Sequence, residues 1–245
     1  MPRVAPVTAT AALGTDIDLE PLLDALGRAG IGADAPCWDD PDVAWGEYDL
    51  AVLRSPWDYV ERYEAFLAWI EATEDHVRVL NPSSVVRWST DKHYLADLSQ
   101  RGLPVVPTEF FLPGGPPPRL SGRTGGLVVK PVISAGSRDT MWHSDPGAAE
   151  AHAAELLAAG RAVMVQPFLD GITTYGETGL VYFDGELSHA FRKAPILTLD
   201  APPTEELFAH EEITPRVATD AERRVGDAAI ASCDAPPLAL DEYAC

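Results

Sequence analysis

Leu127-Val128-Val129-Lys130-Pro131-Val132-Ile133-Ser134-Ala135-Gly136-Ser137 begins as an apolar strand and ends in a loop of small residues. The helix that should follow is Ala-rich, from about Pro146 to Ala159, and is closed by Gly160; Ala162 to Gln166 returns as a strand. Glu177 to Phe183 and Glu186 to Lys193 are then two arms of a hairpin, because Asp184-Gly185 suits the positive φ angles of a type I′ turn.

Working toward the N-terminus, Val105 to Phe111 reads as extended, and Pro113 to Pro118 breaks regular structure. Thr90 can cap a helix carrying Lys92, Tyr94, Leu95 and Leu98 up to Gly102, which places Lys92 in the first helical turn. The first eighty residues alternate. An apolar start at Val4 to Val7 precedes a helix from about Leu19 to Ala29, which Asp16 or Asp18 could cap and Gly30 ends. An extended stretch, Ala33 to Trp38, and a buried strand, Tyr48 to Arg54, precede a helix from Arg62 to Glu74 with Phe66, Leu67 and Ile70 on one stripe. Such alternation favours a small parallel sheet with flanking helices.

Ser55-Pro56-Trp57-Asp58-Tyr59 lies just past the carboxyl end of that buried strand, where ligands gather in open α/β sheets. Arg54 and Asp58, polar and at the strand exit, are substrate-site candidates; Trp57 either joins them or packs. Toward the C-terminus, Pro195 to Pro215 lacks periodicity and reads as a loop over a site, and Thr219 to Ala231 is helical with Asp220 and Glu222 in its first turn. Pro236 to Cys245 starts a further strand and then stops.

The chain has 245 residues, 46% of them apolar, and carries a formal charge of −20. That field repels nucleic acid and anionic membranes, so a small anion needs a local positive pocket. Three cysteines at wide spacings, Cys37, Cys233 and Cys245, suggest neither a disulfide framework nor a zinc site, and read as reduced thiols. No apolar run approaches the ~20 residues of a membrane span, and no signal peptide opens the chain, so the expected location is cytoplasmic. A homo-oligomer is left open. Only three basic residues are lysine, Lys92, Lys130 and Lys193, which singles them out for work that a compact ammonium does and a planar guanidinium does not. His76, His93, His143, His152 and His210 lack metal-ligand spacing and read as surface or semi-buried residues.

Five pieces in order resemble the ATP-grasp superfamily: a lysine opening a helix, a Val-Val-Lys-Pro strand end, a small-residue loop, Val165-Gln166-Pro167-Phe168-Leu169, and a hairpin ending in Phe191-Arg192-Lys193. Within it, Arg54-Ser55-Pro56-Trp57-Asp58-Tyr59, Asp91-Lys92, Lys130-Pro131 and His189-Ala190-Phe191-Arg192-Lys193 resemble the branch that contains the cyclo-ligase of cycloserine biosynthesis and its glutathione-synthetase-like relatives. The resemblance implies an α/β (α+β) ATP-grasp fold with a pre-ATP-grasp domain at 1–88, a small lid subdomain at 89–165 and a large subdomain at 166–245. It implies ATP as cofactor, with Lys92 and Lys130 on the α and β phosphates. Backbone amides of Ser134, Ala135, Gly136 and Ser137 would meet the β and γ phosphates. Gln166, Pro167, Phe168 and Leu169 would form the adenine hinge, and Glu177 would bind ribose or orient substrate.

Arg192 and Lys193 would put charge beside the transferring phosphate as catalytic groups. Strand alternation lets only one face inward and sets Lys193 on the face of His189, a substrate-site candidate, so the pair stays unresolved. The implied reaction is ATP-dependent C–N ligation of an amino-acid-like small molecule through an acyl phosphate, with an intramolecular cyclo-ligase as one form. The family's magnesium is expected on strands beyond the last helix, which carry an Arg-x-Asp-like and a Glu-x-x-Asn-like element. These are not found before Cys245, so no residue here is assigned to metal. The reading is therefore of a truncated member with an open sheet edge and low stability. A non-catalytic ATP-binding remnant is its alternative.

Overall fold

A computed structural model describes residues 1–202 and 212–232, and the backbone of 239–244. Contacts divide the chain into two compact units, Met1–Arg87 and Trp88–Cys245. His210, Cys233 and Cys245 lie outside the described residues.

The first unit is built on β1 (Arg3–Thr8), α1 (Leu19–Arg28), β2 (Gly32–Ala33), β3 (Leu50–Ser55), α2 (Tyr63–Glu74) and β4 (Val79–Leu80). Its sheet is parallel throughout, in the order β2-β1-β3-β4. Ala5, Val7 and Ala51 are wholly buried in it, and the expected α2 stripe of Phe66, Leu67 and Ile70 is buried too. Trp38, Tyr59 and Trp69 pack around Phe66 with centroids 5.3–5.6 Å away. Three local readings are corrected. The stretch at Ala33–Trp38 pairs only at β2 and at one Thr8–Cys37 bridge. Asp18 stands at the N-cap of α1 without a side-chain capping bond, because its carboxylate and that of Asp16 are drawn to Arg54. Thr90 does not begin a helix; it ends α3 (Ser83–Thr90), which leads the chain into the second unit.

The second unit opens with α4 (Tyr94–Gln100), so Lys92 precedes this helix and is not within it. Next come β5 (Glu109–Phe111), β6 (Leu127–Pro131), β7 (Met141–His143), α5 (Pro146–Ala158) and β8 (Val163–Pro167). These strands form an antiparallel sheet in the order β5-β8-β6-β7. Helix α5 starts with Pro146 behind Asp145, whose carboxylate accepts from the Ala148 amide at 2.9 Å. Its Ala149, Ala153 and Leu156 pack on Leu127, Val129, Val163 and Val165, which commits one sheet face to the core. The short β7 has no counterpart in the sequence reading.

After α6 (Gly171–Tyr175), β9 (Glu177–Phe183) and β10 (Glu186–Lys193) form the expected hairpin, with Asp184 and Gly185 at φ 51° and 79°. Then follow β11 (Ile213–Arg216), α7 (Asp220–Ser232) and β12 (Ala239–Ala244), giving a second antiparallel sheet in the order β11-β10-β9-β12. Strand β11 ends the stretch expected to be loop. The strand expected to start at Pro236 is β12, which pairs with β9 from Ala239↔Phe183 to Ala244↔Thr178. Leu180, Tyr182 and Ile230 form the core between β9 and α7. Among the described residues no helix is long and apolar enough to cross a membrane.

Helix α7 is fixed by a capping box. The Thr219 amide donates to Glu222 Oε2 at 2.7 Å and the Glu222 amide to Thr219 Oγ1 at 3.3 Å. Glu222 Oε1 also accepts from Thr178 on β9 and Arg216 on β11, at 2.7 and 2.8 Å. Partial burial would raise the Glu222 carboxyl, but the Thr219 amide, the Thr178 and Thr219 hydroxyls and Arg216 outweigh it and hold it down at about 2. A carboxyl depressed in the fold contributes stability above its unfolded value and loses it as pH falls toward the folded one. Glu222→Gln is expected to cost about 1–3 kcal/mol at neutral pH. Chemical denaturation between pH 5 and 2 should show a flatter acid slope for the variant than for the parent. Gly179 faces the Phe191 ring so closely that an added Cβ would overlap it. Gly179→Ala should lower stability by about 1–3 kcal/mol, and less in a Phe191→Ala background, as a double-mutant cycle by thermal melting would read.

Candidate functional site

With one face of the β5-β8-β6-β7 sheet filled by α5, alternation sends Val128, Lys130, Trp142, Met164 and Gln166 to the other. Lys130 sits at one end of this face. At the other, Trp142 and Phe168 stack, centroids 3.5 Å apart and planes within 7°. The Phe168 amide donates to Gly126 O at 2.8 Å, which holds the ring beside the strand end. From residue 126 to 130 a strand advances about 13 Å, which is the reach of a nucleotide from base to phosphate chain. Trp142 was missed in the sequence because nothing there marks β7; its Nε1 is buried without a hydrogen-bond partner among the described residues.

Lys92 reaches the lysine end from the turn before α4. Its Nζ donates to Ser134 O at 2.6 Å and to Ser134 Oγ at 3.0 Å, and its amide donates to Val132 O at 3.2 Å. Burial, reinforced by the charge of Lys130, pulls this ammonium down to about 7, with Asp91 opposing. Two ammonium groups thus act on one another here, an arrangement that favours a polyanion between them. Ser134 is spent as a scaffold, accepting from Lys92 and donating to Pro131 O at 3.2 Å. Gly136 and Ser137 both take φ 59°, so the loop turns left-handed, and the amides of Ala135, Gly136 and Ser137 have no backbone acceptor among the described residues.

In the second sheet, Thr178, Leu180 and Tyr182 face α7, so Glu177 and Val181 share the opposite face with their partners Lys193 and His189, and with Phe191. Lys193 is buried, whereas His189 is exposed. Arg192 points the other way, its Nε donating to Tyr175 O at 2.5 Å. Alternation therefore sets Lys193 beside Glu177 and commits Arg192 to the end of α6. The chain beyond Lys193 returns to the first sheet, where the Asp200 amide donates to Trp142 O at 2.8 Å and its carboxylate accepts from the Ser144 amide and hydroxyl at 2.9 and 2.7 Å. Gln166 is buried and donates to Thr108 Oγ1 at 2.8 Å, Pro167 and Leu169 are exposed. His143, read as a surface or semi-buried residue, is buried and meets the His152 ring at 3.0 Å. Among the described residues no group of three His, Cys, Asp or Glu could hold a metal ion.

The first unit carries its own polar cluster at the carboxyl edge of its sheet. Arg54 Nη2 is held by Asp16 at 2.8 Å and Asp18 at 3.3 Å. Asp58 is buried, accepting from Trp38 Nε1 at 2.8 Å and pairing with Arg62, which also holds Asp39 at 3.0 Å. Arg54 and Asp58 are thus not partners of each other. Trp57 is half-buried.

Residues 4–81 match a family model described as the N-terminal domain of D-cycloserine synthetase DcsG. The cycloserine biosynthesis protein DcsG of Streptomyces lavendulae is 37% identical over 238 residues, 94% of this chain and 79% of that protein. The crystal structure of D-cycloserine synthetase DcsG superposes with a TM-score of 0.85 at 34% identity, over 97% of this chain and 84% of that one. A D-alanine–D-alanine ligase from Bacillus anthracis, complexed with ATP, shares the fold at a TM-score of 0.64 and 14% identity, over 95% and 77% of the two chains. The chain belongs to the ATP-grasp ligases, in the DcsG family, and is an ATP-dependent ligase.

Proposed function

We propose that the chain phosphorylates a carboxylate of an amino-acid-like small molecule with ATP and joins the resulting acyl phosphate to a nitrogen of the same molecule. The observation that carries this reading is the sheet face opposite α5, with an aromatic stack at one end and the Lys92–Lys130 pair at the other. Main-chain groups of Gln166 to Leu169 would read the adenine edge, beside the Trp142 and Phe168 rings. Lys92 and Lys130 would take the α and β phosphates, and the amides of Ala135, Gly136 and Ser137 the β and γ oxygens. Lys193, with Glu177 next to it, would stand at the transferring phosphate; Arg192 would only brace α6.

The carboxylate oxygen attacks the γ phosphorus and ADP leaves. The nitrogen then attacks the acyl carbon, phosphate departs and the nitrogen gives up a proton, so the amide bond forms without an oxidant or reductant. A closed, preorganised set of cations lowers the cost of charge on the transferring group. Magnesium bound to the phosphates would supply further charge neutralisation; the side chains described here do not form a cage for it, and the steps above use none of them as its ligands. That DcsG bears the name of a D-cycloserine synthetase supports ring closure over coupling of two molecules. With ATP and Mg²⁺, a substrate is expected to yield ADP and a product lighter by one water, read by mass spectrometry. A linear amide of two molecules would instead establish intermolecular ligation.

The lowered ammonium gives a second test. Phosphate binding favours charged Lys92 and so raises its proton affinity. ATP binding at pH 8 should therefore take up protons, seen by calorimetry in buffers of different ionisation enthalpy, and Lys92→Met should abolish the uptake. Lys130→Ala should weaken ATP by about 10–100-fold, in line with losing one charge-assisted contact of about 1.5–3 kcal/mol.

A further inference from the structure

We propose that Asp16 accepts the cationic nitrogen of the substrate, within the Met1–Arg87 unit. This rests on the amino-acid-like substrate proposed above and names the group that selects its amine. Asp16 is 92% buried, being 8% exposed, in the segment between β1 and α1. Its Oδ1 is used, by Arg54 Nη2 at 2.8 Å and by the Asp18 amide at 3.1 Å. Its Oδ2 is buried and has no hydrogen-bond partner among the described residues. A carboxylate oxygen in that state lacks the donor that would offset its desolvation.

Charge points to the kind of donor. Arg54 meets two carboxylates, Asp16 and Asp18, and Arg62 meets two more, Asp39 and Asp58. Each set keeps one formal negative charge, so this edge disfavours a carboxylate or phosphate and favours an ammonium. Arg54 therefore serves here to hold Asp16 in place, and Asp58 is already satisfied by the Trp38 indole and Arg62. Thr8 and Ser55, the buried strand-end hydroxyls, bond each other at 3.0 Å and leave Asp16 as the unspent acceptor. Leu13 and Ile17, on either side of Asp16 along the chain, are 55% and 87% exposed, so this segment lies at the surface of the unit.

The test compares D-cycloserine with isoxazolidin-3-one, the same ring without its amine, by calorimetry on the full chain below neutral pH. The parent should bind the amine-bearing ring at least tenfold more tightly. Asp16→Asn, which keeps an oxygen for Arg54 and the Asp18 amide, should reduce that preference to near unity while ATP affinity and Tm hold; Asp16→Glu should restore part of it. Equal binding of both rings by the parent overturns the proposal without any variant. So does a folded Asp16→Asn protein that keeps the preference. Binding of neither ring, with ATP still turned over, removes the ring-forming reading itself and this assignment with it.

Discussion

The second unit depends on where the Lys92 ammonium can go. Placed in a half-buried position beside Lys130, it loses water and gains a like charge, and both effects oppose its ionisation. The Ser134 carbonyl and hydroxyl offset part of that cost, and in doing so they tie the turn before α4 to the loop after β6. Because the Val132 carbonyl takes the Lys92 amide as well, the loop is held from its base while the amides at its tip, Ala135 to Ser137, have no backbone acceptor among the described residues. Anion affinity and loop geometry thus come from one interaction. A fully solvated lysine would have left the loop to find its own conformation, with entropy to lose on every binding event.

Those elements most legible in the sequence are those whose bonds are local. The hairpin was readable to the residue because Asp184-Gly185 can adopt two consecutive positive φ angles, and α5 because Asp145-Pro146 opens it. Lys92 and Lys130 stood out by scarcity alone in a chain that otherwise uses arginine. Legibility failed where partners are distant. Trp142 lies on a three-residue strand whose existence depends on pairing with β6, and no local pattern announces it. Thr219 and Glu222 form a capping box that the residue types permitted, yet the reading stopped at the acidic first turn and missed the ties to Thr178 and Arg216.

Arg54 and Asp58 show the same limit from another side. As polar residues at a strand exit they read as substrate-site candidates, but each is claimed by a different neighbour, Arg54 by Asp16 and Asp58 by Arg62 and Trp38. Arg54 finds its carboxylate 38 residues away and Asp58 its arginine only four residues on, so residue type at the strand exit did not decide either pairing. Alternation was a better guide for Arg192 and Lys193. It required them to diverge, and pairing with β9 then settled the direction by placing Lys193 opposite Glu177 and Arg192 opposite Thr178.

Both units are acidic, and what differs between them is the local grouping of charge. A chain of net charge −20 that binds a nucleotide must concentrate cations where phosphates lie, and two of its three lysines meet at the β6 loop. The first unit does the reverse, surrounding two arginines with four carboxylates. A phosphate chain is therefore drawn to the lysines of the β6 loop, while an ammonium group is drawn to the carboxylates around Arg54 and Arg62. Because both clusters sit in a chain that is acidic as a whole, each selects its ligand by nearby charge and not by the net field.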